Sequence, residues 1–366
     1  MKVLFLISSN FRDSQTGAGT QVRETINALR DQGVEIERLF VSFNPTIFSD
    51  EFGQPVSFAK AVEIVNRNDV VHLIHCSRWM AEVWRTLPRK PSVGSTIYWG
   101  GWERVQMAWR NAPRSLLGLK TVLNYVRAMT PWYLDLSGVD VFLPNSSAEA
   151  ENVRRYARTS PHSLMFPVNN GFIPPGFELD ELPRHRDAPS GDYIVVPGII
   201  VSRKNQLGLI KAMRSSDYEF VFMGGYDEND WFYRQCRRYS TPRMHFVGYV
   251  QHDSREYWSW LRHARCSVLP SDCETPGIAM IESCYAGARP IITRFGGTVE
   301  YYGFDAEYFD PRSSRQLRHA IDVGWRRGRL AKCEAESYSR FTWKYCAGLT
   351  RMAYELARDR VGRDRT

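Results

Sequence analysis

Short runs of apolar residues alternate along the chain with segments in which apolar residues recur every three or four positions. The first runs cover 3–7, 34–41 and 69–75, and the periodic segments between them cover 20–32 and 58–66. Runs of this length predict buried strands, and the periodic segments predict helices. Repeated alternation of strand and helix predicts an α/β fold with a doubly wound parallel sheet.

A polar, proline-rich stretch at 174–191 interrupts the alternation and is the best candidate for a linker. The alternation then resumes, with strands predicted at 193–197, 220–223, 245–250 and 266–270, and helices at 206–213, 230–239, 254–263 and 278–286. Asp253 and Glu256 are placed as a variant of the capping box for the helix at 254–263. Because 366 residues exceed the size at which one hydrophobic core keeps growing, we predict two α/β halves.

The formal charge is 48 − 40 = +8, which favours anionic partners such as nucleotide diphosphates, anionic lipid surfaces or nucleic acid. The seven cysteines are scattered without a C-x-x-C pair, which indicates reduced thiols and a cytoplasmic location. The segment 102–127 mixes basic and large apolar residues, as an interfacial helix does. Since Pro113 and Gly118 interrupt it, packed helices are favoured over peripheral contact with the inner face of a membrane.

Two carboxylates, Glu274 and Glu282, bracket a small, turn-prone sequence between a predicted strand and a predicted helix. Glu274 falls in the loop that enters the helix, and Glu282 lies more than one turn of ~3.6 residues inside it. The N–H groups of Gly277, Ile278 and Ala279 lie between the acids, where a helix N-terminus suits a diphosphate. One carboxylate can then accept hydrogen bonds from sugar hydroxyls and the other from ribose hydroxyls. By spacing alone, the favoured interpretation is an ordinary helix start, with Glu274 near the positive end of the helix dipole and Glu282 solvated.

The run 274–300 resembles the signature of retaining GT-B glycosyltransferases of family 4. The resemblance rests on the acid spacing, the small-residue turn, the Ala-Gly-x-x-Pro exit and the Gly296-Gly297 pair. Thr275-Pro276 departs from the family, which usually carries Gly and an aromatic residue at these positions. The implied fold is GT-B, in which two Rossmann-like doubly wound parallel-sheet domains face each other across a cleft.

The resemblance implies an N-terminal acceptor domain at 1–175 and a C-terminal nucleotide-sugar donor domain at 176–342. The closing segment at 343–366 resembles the last helix of the family, which packs back on the N-terminal domain. The implied activity, of hexosyltransferase type, moves a sugar from a nucleoside diphosphate sugar to an acceptor hydroxyl with retention of configuration. The acceptor would be a carbohydrate, a lipid-linked compound or a glycoside, in polysaccharide, glycolipid or glycoside biosynthesis, and no cofactor is implied.

Two basic residues, Arg203 and Lys204, lie where a predicted strand passes into a helix. They offer a bidentate fork and a movable point charge for a diphosphate that gains negative charge as its glycosyl bond breaks. The stretch resembles the family's G-R-x-x-x-x-K motif, with Lys204 in the lysine position. Ile199 occupies the arginine position, so either Arg203 reaches the phosphates instead or the enzyme relies on Lys204 and backbone dipoles.

A glycine-rich turn at 16–21 permits close backbone approach to a ligand at a helix N-terminus. Taken by itself, this turn is better explained as a tight strand-to-helix connection, whereas the resemblance places Gly17 and Gly19 against the donor phosphates. Tyr249 and Val250 end the predicted strand at 245–250, and their side chains can simply complete it. The matching segment of the family binds the nucleobase largely through backbone groups and a flanking side chain, so the resemblance makes both residues candidates for that contact.

Tyr98 occupies the position of a histidine that the family commonly carries, and it is a candidate, with Trp99, for the acceptor side of the cleft. No Asp-x-Asp occurs in the sequence, so the usual metal-diphosphate ligand pair of GT-A enzymes is missing and a metal-independent reaction is favoured. His72 and His75 could be taken for a pair of metal ligands. They are three apart on a predicted strand and thus point to opposite faces, so structural or cleft-lining roles are favoured for both.

The implied catalytic residues are Glu274 and Lys204, with Glu274 acting on the sugar hydroxyls and Glu282 on the ribose. Glu274 as nucleophile and a front-face displacement assisted by the leaving phosphate both stay open. The alternatives are a polyanion or nucleic-acid binding protein, and a sugar phosphorylase or epimerase on the same fold. Basic residues are spread through both halves instead of forming one stripe, which counts against nucleic acid.

Overall fold

The computed structural model describes residues 1–12, 17–42, 46–75, 78–97 and 135–363. The chain divides into two compact units, one of Met1–Gly171 with Trp343–Thr366 and one of Phe172–Thr342. The division falls four residues before the boundary placed at 175, because Phe172 already pairs with Thr342 and its N–H donates to the Phe341 carbonyl at 2.9 Å. The first and last residues of the second unit therefore pair with each other.

The first unit is built on a sheet of eight strands within the described residues. These are β1 (Lys2–Ser8), β2 (Glu35–Ser42), β3 (Ile47–Ser49), β4 (Pro55–Val56), β5 (Val70–Ile74), β6 (Ser92–Ser95), β7 (Val141–Leu143) and β8 (Leu164–Met165). Their order is β4-β3-β2-β1-β5-β6-β7-β8. From β2 to β8 all neighbours are parallel, as predicted, whereas β3 and β4 add an antiparallel edge that the sequence pattern did not indicate.

Helices cover this sheet because its central strands are apolar on both faces. They are α1 (Gly17–Asp31), α2 (Phe58–Arg67), α3 (Arg78–Thr86) and α4 (Ser147–Tyr156). Strand β1 is buried from Val3 onward, and α1 buries Val22, Ile26 and Leu29. The helix α1 begins three residues earlier than predicted, so Gly17 and Gly19 belong to its first turn.

The second unit contains a six-stranded sheet in which every pair is parallel. Its strands are β9 (Tyr193–Pro197), β10 (Glu219–Met223), β11 (Met244–Gly248), β12 (Cys266–Leu269), β13 (Arg289–Thr293) and β14 (Glu307–Phe309). Its helices are α5 (Gln206–Met213), α6 (Trp231–Tyr239), α7 (Arg255–Arg262), α8 (Ile278–Tyr285), α9 (Thr298–Tyr302), α10 (Ser314–Arg327) and α11 (Lys332–Glu336). The bounds of β9 and α5 are those predicted.

The strand order β11-β10-β9-β12-β13-β14 reverses direction between β9 and β12. Successive connections run to opposite sides of the sheet from this point, which leaves a crevice outside the carboxyl ends of the two strands. Ligands of open α/β sheets bind at such a switch point. The loops that follow β9 and β12 are therefore the first place to look for a site.

The start of α7 differs from the predicted capping box. Ser254 is the N-cap, and its hydroxyl accepts the Tyr257 N–H at 3.0 Å. Asp253 instead adopts a left-handed conformation with φ +65°. Because Ser254 already satisfies the helix, the Asp253 carboxylate can contact the preceding residue, His252.

The last helix, α12 (Trp343–Arg363), packs in the first unit against α1 and strands β5, β6 and β7. Its Tyr354 hydroxyl lies 2.7 Å from Nδ1 of His72, whose Nε2 lies 2.8 Å from the Ser95 hydroxyl. Burial lowers the pKa of His72 to about 3, so its ring is neutral and serves the core. Among the helices described, none has the length and apolar character to cross a membrane.

Candidate functional site

Two loops of the second unit are tied together at the switch point of its sheet. The Asp272 N–H donates to the Arg203 carbonyl at 3.1 Å, and the Asn205 side-chain amide donates to the Pro270 carbonyl at 3.1 Å. These bonds form because β9 and β12 are neighbours and their carboxyl ends lie at one edge. The loop after β9 is therefore held against the loop after β12.

This arrangement brings Lys204 and Glu274 into an ion pair. The Lys204 ammonium donates to Oε1 of Glu274, and the buried Ser271 hydroxyl donates to the same oxygen at 2.5 Å. Burial alone raises the pKa of Glu274, but the charge and hydrogen bond of Lys204, with help from Ser271 and Arg203, hold it below its usual value. Glu274 is therefore an ionised carboxylate in a nearly closed environment.

Ser271 was not among the residues predicted for the site. Its position three residues before Glu274, immediately after a predicted strand, was visible in the sequence. A serine in a turn usually bonds to nearby backbone groups, so the spacing offered no reason to direct it at the carboxylate. Oε2 of Glu274 accepts no hydrogen bond from any residue in the described ranges.

The backbone of Glu274 is fixed by the glycine pair Gly296-Gly297. The Glu274 N–H donates to the Phe295 carbonyl at 3.1 Å, and the Gly297 N–H donates to the Glu274 carbonyl at 3.1 Å. Gly296, between them, has φ +108°, and a Cβ atom there would lie 1.9 Å from the Glu274 carbonyl oxygen. Only glycine fits this close approach.

We expect Gly296→Ala to displace the Glu274 backbone and to destabilise the protein. The clash is with backbone atoms, so no side chain can yield, and the positive φ adds strain of about 1 to 3 kcal/mol. The loss of stability is measured by thermal unfolding of Gly296→Ala, with Gly303→Ala as the control. Gly303 also has a positive φ, but a Cβ atom there would meet nothing within 4 Å, so it reports the conformational strain alone. Equal destabilisation of both variants would contradict the prediction.

The helix α8 begins beside the ion pair. Gly277 is its N-cap with φ +77°, followed by Ile278 and Ala279 in the first turn. A Cβ at Gly277 would lie 3.4 Å from Oε2 of Glu274, so the carboxylate and the helix start are adjacent. The buried Tyr302 hydroxyl donates to the Gly277 carbonyl at 3.2 Å. The structure thus brings the predicted helix N-terminus to Glu274.

Glu282 lies inside α8 and is fully buried. Its Oε1 lies 2.8 Å from Nε2 of His252, and its Oε2 accepts the Tyr257 hydroxyl. On the other side of the imidazole, Nδ1 of His252 lies 3.0 Å from Oδ2 of Asp253. A ribose hydroxyl that approached Glu282 would therefore meet a carboxylate whose two oxygens already accept hydrogen bonds.

The charge of His252 follows from its two carboxylate neighbours. Burial lowers its pKa, but the contacts with Asp253 and Glu282 outweigh this effect and raise the pKa to about 10. The ring is therefore an imidazolium at neutral pH. Burial and the negative charge of Glu282 raise the pKa of Tyr257 well above its usual value, which keeps its hydroxyl a donor.

His252, Asp253 and Glu282 are also the residues with the geometry to hold a metal ion. One ligand atom from each lies within 4.8 Å of the others. A metal would need neutral imidazole nitrogen, however, and both ring nitrogens face carboxylates at hydrogen-bonding distance. The proton on His252 already balances charge in this cluster, so a metal would have to displace it.

The chain matches one family model in sequence and several solved structures in fold. Residues 181–323 match the family described as glycosyl transferases group 1. The match lies within the second unit and includes Lys204, Glu274 and Glu282. A search of curated proteins gives no match.

Solved structures resemble the chain over nearly its whole length. Sucrose-phosphate synthase from Thermosynechococcus elongatus is 16% identical with a TM-score of 0.61, covering 99% of this chain and 98% of that one. The lipopolysaccharide outer core galactosyltransferase WaaB is 14% identical with a TM-score of 0.66, covering 96% and 99%. HepE of Anabaena, solved with UDP and glucose, is 14% identical with a TM-score of 0.55, covering 100% and 99%. The fold is GT-B, with two Rossmann-like domains, as predicted.

The structure also shows where the other predicted site residues lie. Tyr249 follows β11 and is 69% exposed, whereas the side chain of Val250 is buried, which leaves only its backbone for a ligand. Arg203 is exposed beside the ion pair. Gly17 and Gly19 lie on α1 in the first unit. The predicted acceptor residues lie outside the described residues; these are Tyr98 and Trp99.

The residue that follows Glu274 carries a polar atom that the described part of the protein leaves unsatisfied. The Thr275 hydroxyl oxygen is buried and has no hydrogen-bond partner in the part of the chain that is described. Thr275 directly follows Glu274 in the loop that leads to α8. Such an atom is costly unless something satisfies it.

Proposed function

We propose that the protein is a glycosyltransferase that transfers a sugar from a nucleoside diphosphate sugar to an acceptor hydroxyl. The observation that carries this proposal is the ion pair of Lys204 and Glu274 at the switch point of a sheet in a glycosyl transferases group 1 domain. The pair offers one cation and one carboxylate in adjacent positions. When the glycosyl bond of a nucleotide sugar breaks, the diphosphate gains negative charge, which the cation can stabilise. The sugar gains positive charge, which the carboxylate can stabilise.

Lys204 and the first turn of α8 would hold the diphosphate. As the glycosyl bond breaks, the leaving diphosphate gains negative charge, which the ammonium and the N–H groups of Gly277, Ile278 and Ala279 stabilise. The ring of the transferred sugar gains positive charge at the same time. The ionised Glu274 stabilises that charge and, through Oε2, accepts a hydrogen bond from a sugar hydroxyl. In this proposed step, the stabilising charges come from the side chains of Lys204 and Glu274 and from the N–H groups at the start of α8.

The finer assignments belong to the same proposal. Retention of configuration and membership of family 4 rest on the resemblance of 274–300 to the family signature, and a hexose as the transferred sugar rests on the same run. The acceptor is a carbohydrate, a lipid-linked compound or a glycoside, and the pathway is carbohydrate biosynthesis. The nucleoside would lie near Tyr249 and the cluster around Glu282. Cytoplasmic location, peripheral membrane contact and a metal-independent reaction remain predictions from the sequence.

A thermal-shift panel of UDP, GDP, ADP and CDP tests the proposal, with heparin as the polyanion arm. We expect one nucleotide to raise the melting temperature, since a ligand at about 100 times its Kd stabilises by about 2.7 kcal/mol. Heparin should not reproduce the shift. No response to any nucleotide would contradict a glycosyltransferase, and an equal response to heparin would favour a polyanion-binding protein. The sugar forms of the stabilising nucleotide, with an acceptor panel, then identify donor and acceptor, and the anomeric configuration of the product tests retention.

A further inference from the structure

Two adjoining hollows lie at the carboxyl edge of the sheet in the first unit. Ser95 ends β6 and lines both hollows, together with Gln21 and Thr25 of α1. One hollow has an apolar wall that includes Phe11 and Ile74, and the other extends to α12. All of the described residues that line them belong to the first unit. The two hollows together are called the first-unit cavity below.

The lining of the first-unit cavity is polar but carries no fixed charge. Within the described ranges, no carboxylate, ammonium or guanidinium group lines it. Side-chain amides and hydroxyls line it instead; these belong to Gln21, Thr25, Ser95, Asn145, Asn169, Asn170 and Thr350. Such groups can satisfy ligand hydroxyls, whereas an ion taken out of water here would find no opposite charge. The lining therefore favours an uncharged ligand that carries hydroxyl groups.

We propose that the first-unit cavity binds a hydroxyl group of an uncharged sugar, with the Ser95 hydroxyl as its donor and Oε1 of Gln21 as its acceptor. The inference rests on the proposed function in one respect, because only a glycosyltransferase would use this sugar as the acceptor of transfer. It narrows the acceptor class to compounds whose bound sugar carries no phosphate or carboxylate.

The direction of the hydrogen bond at Ser95 is set by two residues behind it, His72 and Tyr354. The partner that the described residues provide for the fully buried Tyr354 hydroxyl is Nδ1 of His72, at 2.7 Å. A buried O–H group must donate, so it donates to Nδ1. Because burial lowers the pKa of His72 to about 3, its ring carries one proton, which then lies on Nε2. That N–H donates to the Ser95 oxygen at 2.8 Å, and Ser95 can donate its own O–H into the cavity.

A second chain of hydrogen bonds orients Gln21. The side-chain nitrogen of Asn145 donates to the Thr96 carbonyl at 3.4 Å, so the side-chain oxygen of Asn145 faces Gln21. Nε2 of Gln21 donates to that oxygen at 2.9 Å, which directs the acceptor Oε1 elsewhere. Asn145 is held in turn by the fully buried Glu149, which accepts its backbone N–H at 2.9 Å. The two hollows thus share an oriented donor and an oriented acceptor.

A hydroxyl group is the ligand group that can use both side chains. Its oxygen accepts from Ser95, and its proton is donated to Gln21. A phosphate or carboxylate oxygen only accepts, so it would leave Oε1 of Gln21 without a donor, and an ammonium group would leave the Ser95 O–H without an acceptor. Sites built to pair with a hydroxyl reject ligands that lack one, because the polar groups of the protein are then left unpaired.

The test measures the binding of uncharged and charged sugars to the whole protein by saturation-transfer NMR. The probes are the methyl glycosides of glucose, galactose, mannose and N-acetylglucosamine, each paired with its 6-phosphate. The variants are Ser95→Ala and Gln21→Ala. Ser42→Ala is the matched control, because the Ser42 hydroxyl lies on β2 of the same sheet and donates to the Ser9 hydroxyl at 3.0 Å.

We expect at least one uncharged glycoside to bind the wild type, and its 6-phosphate to bind more weakly. Ser95→Ala and Gln21→Ala should each weaken that glycoside about fivefold, which is the usual effect of losing one neutral hydrogen bond. Ser42→Ala should bind as the wild type does. One monodeoxy form of the glycoside should bind the wild type and both cavity variants with the same reduced affinity, because it lacks the hydroxyl that both residues contact.

The tautomer of His72 tests the donor chain directly. In ¹⁵N NMR, His72 is the imidazole that stays neutral at pH 5 and whose signals shift in Ser95→Ala, since its pKa is about 3. We expect its proton on Nε2. A proton on Nδ1 would make Ser95 the donor to His72 and would overturn the inference.

The binding measurements can overturn the inference in three further ways. These are binding of none of the uncharged glycosides, a preference for the 6-phosphates, and wild-type affinity in both cavity variants. Ser95→Ala leaves Nε2 of His72 without its acceptor, so melting temperatures are compared, and Gln21→Ala decides if Ser95→Ala alone is unstable. A response to nucleotides without glycoside binding would contradict the inference alone. Glycoside binding without a response to any nucleotide would contradict the proposed function and leave the sugar site standing.

Discussion

Glu274→Gln is expected to lower the rate of sugar transfer by at least about 100-fold, which is the usual effect of removing one preorganised electrostatic contact. Glutamine keeps the shape of the side chain but carries no charge, so the positive charge that develops on the sugar ring loses its partner. The loss should appear in kcat more than in nucleotide affinity, because Glu274 would act on the sugar. Steady-state kinetics with the donor that the nucleotide panel identifies provide the measurement.

The same substitution should also reduce stability. Lys204 is only 13% exposed, and breaking a buried pair by removing one partner costs about 3 to 5 kcal/mol. Glu219→Gln is the matched control, because Glu219 is ion-paired with Arg243 at the first residue of β10, away from the carboxyl edge. Its activity should be that of the wild type. A Glu274→Gln enzyme that is destabilised yet transfers sugar at the wild-type rate would show that the carboxylate is structural.

Lys204→Met should weaken nucleoside diphosphate binding by about 10- to 100-fold, since a hydrogen bond to a charged group contributes about 1.5 to 3 kcal/mol. The nucleoside monophosphate should lose much less, because it lacks the phosphate that Lys204 would reach. Methionine preserves the length and the packing of the aliphatic stem. Calorimetry with both nucleotides measures the difference between the two losses.

Lys211→Met provides the control for this second substitution. Lys211 lies on α5, two turns beyond Lys204, where its ammonium contacts the Tyr239 ring at 4.5 Å. Combining Lys204→Met with Glu274→Gln should recover part of the stability, because neither charge is then left unpaired, while transfer stays low. Equal weakening of the monophosphate and the diphosphate by Lys204→Met would place the lysine away from the terminal phosphate.

Much of the fold could be read from the sequence because its signals are local. The apolar run of β9 is bounded by a polar residue and a glycine, and α5 begins directly after Asn205 in a left-handed turn, so pattern and turn chemistry agree. Strands β3 and β4 were missed because Ile47–Ser49 and Pro55–Val56 are too short to show a period. Their pairing at the sheet edge is a tertiary contact.

The candidate site, too, could be predicted only in part from the sequence. The spacing of Glu274 and Glu282 and the position of Lys204 were visible as sequence, since each sits at the junction of a strand or loop with a helix. The partners of these residues were not visible. Lys204 lies 70 positions before Glu274, and His252 lies 30 before Glu282. Whether such residues meet depends on the order of the strands in the sheet.

By itself, therefore, the sequence determined the alternation of strands and helices, the two α/β halves and the positions of the two acids. The tertiary structure alone decided that Ser271 and Lys204 share one oxygen of Glu274 and that His252 and Tyr257 occupy both oxygens of Glu282. The physical reason is that hydrophobic periodicity and helix caps act within a few residues, whereas burial and charge pairing follow from which strands become neighbours. Only the folded structure shows that Glu274 forms an ion pair with Lys204, whereas Glu282 is buried beneath His252 and Tyr257.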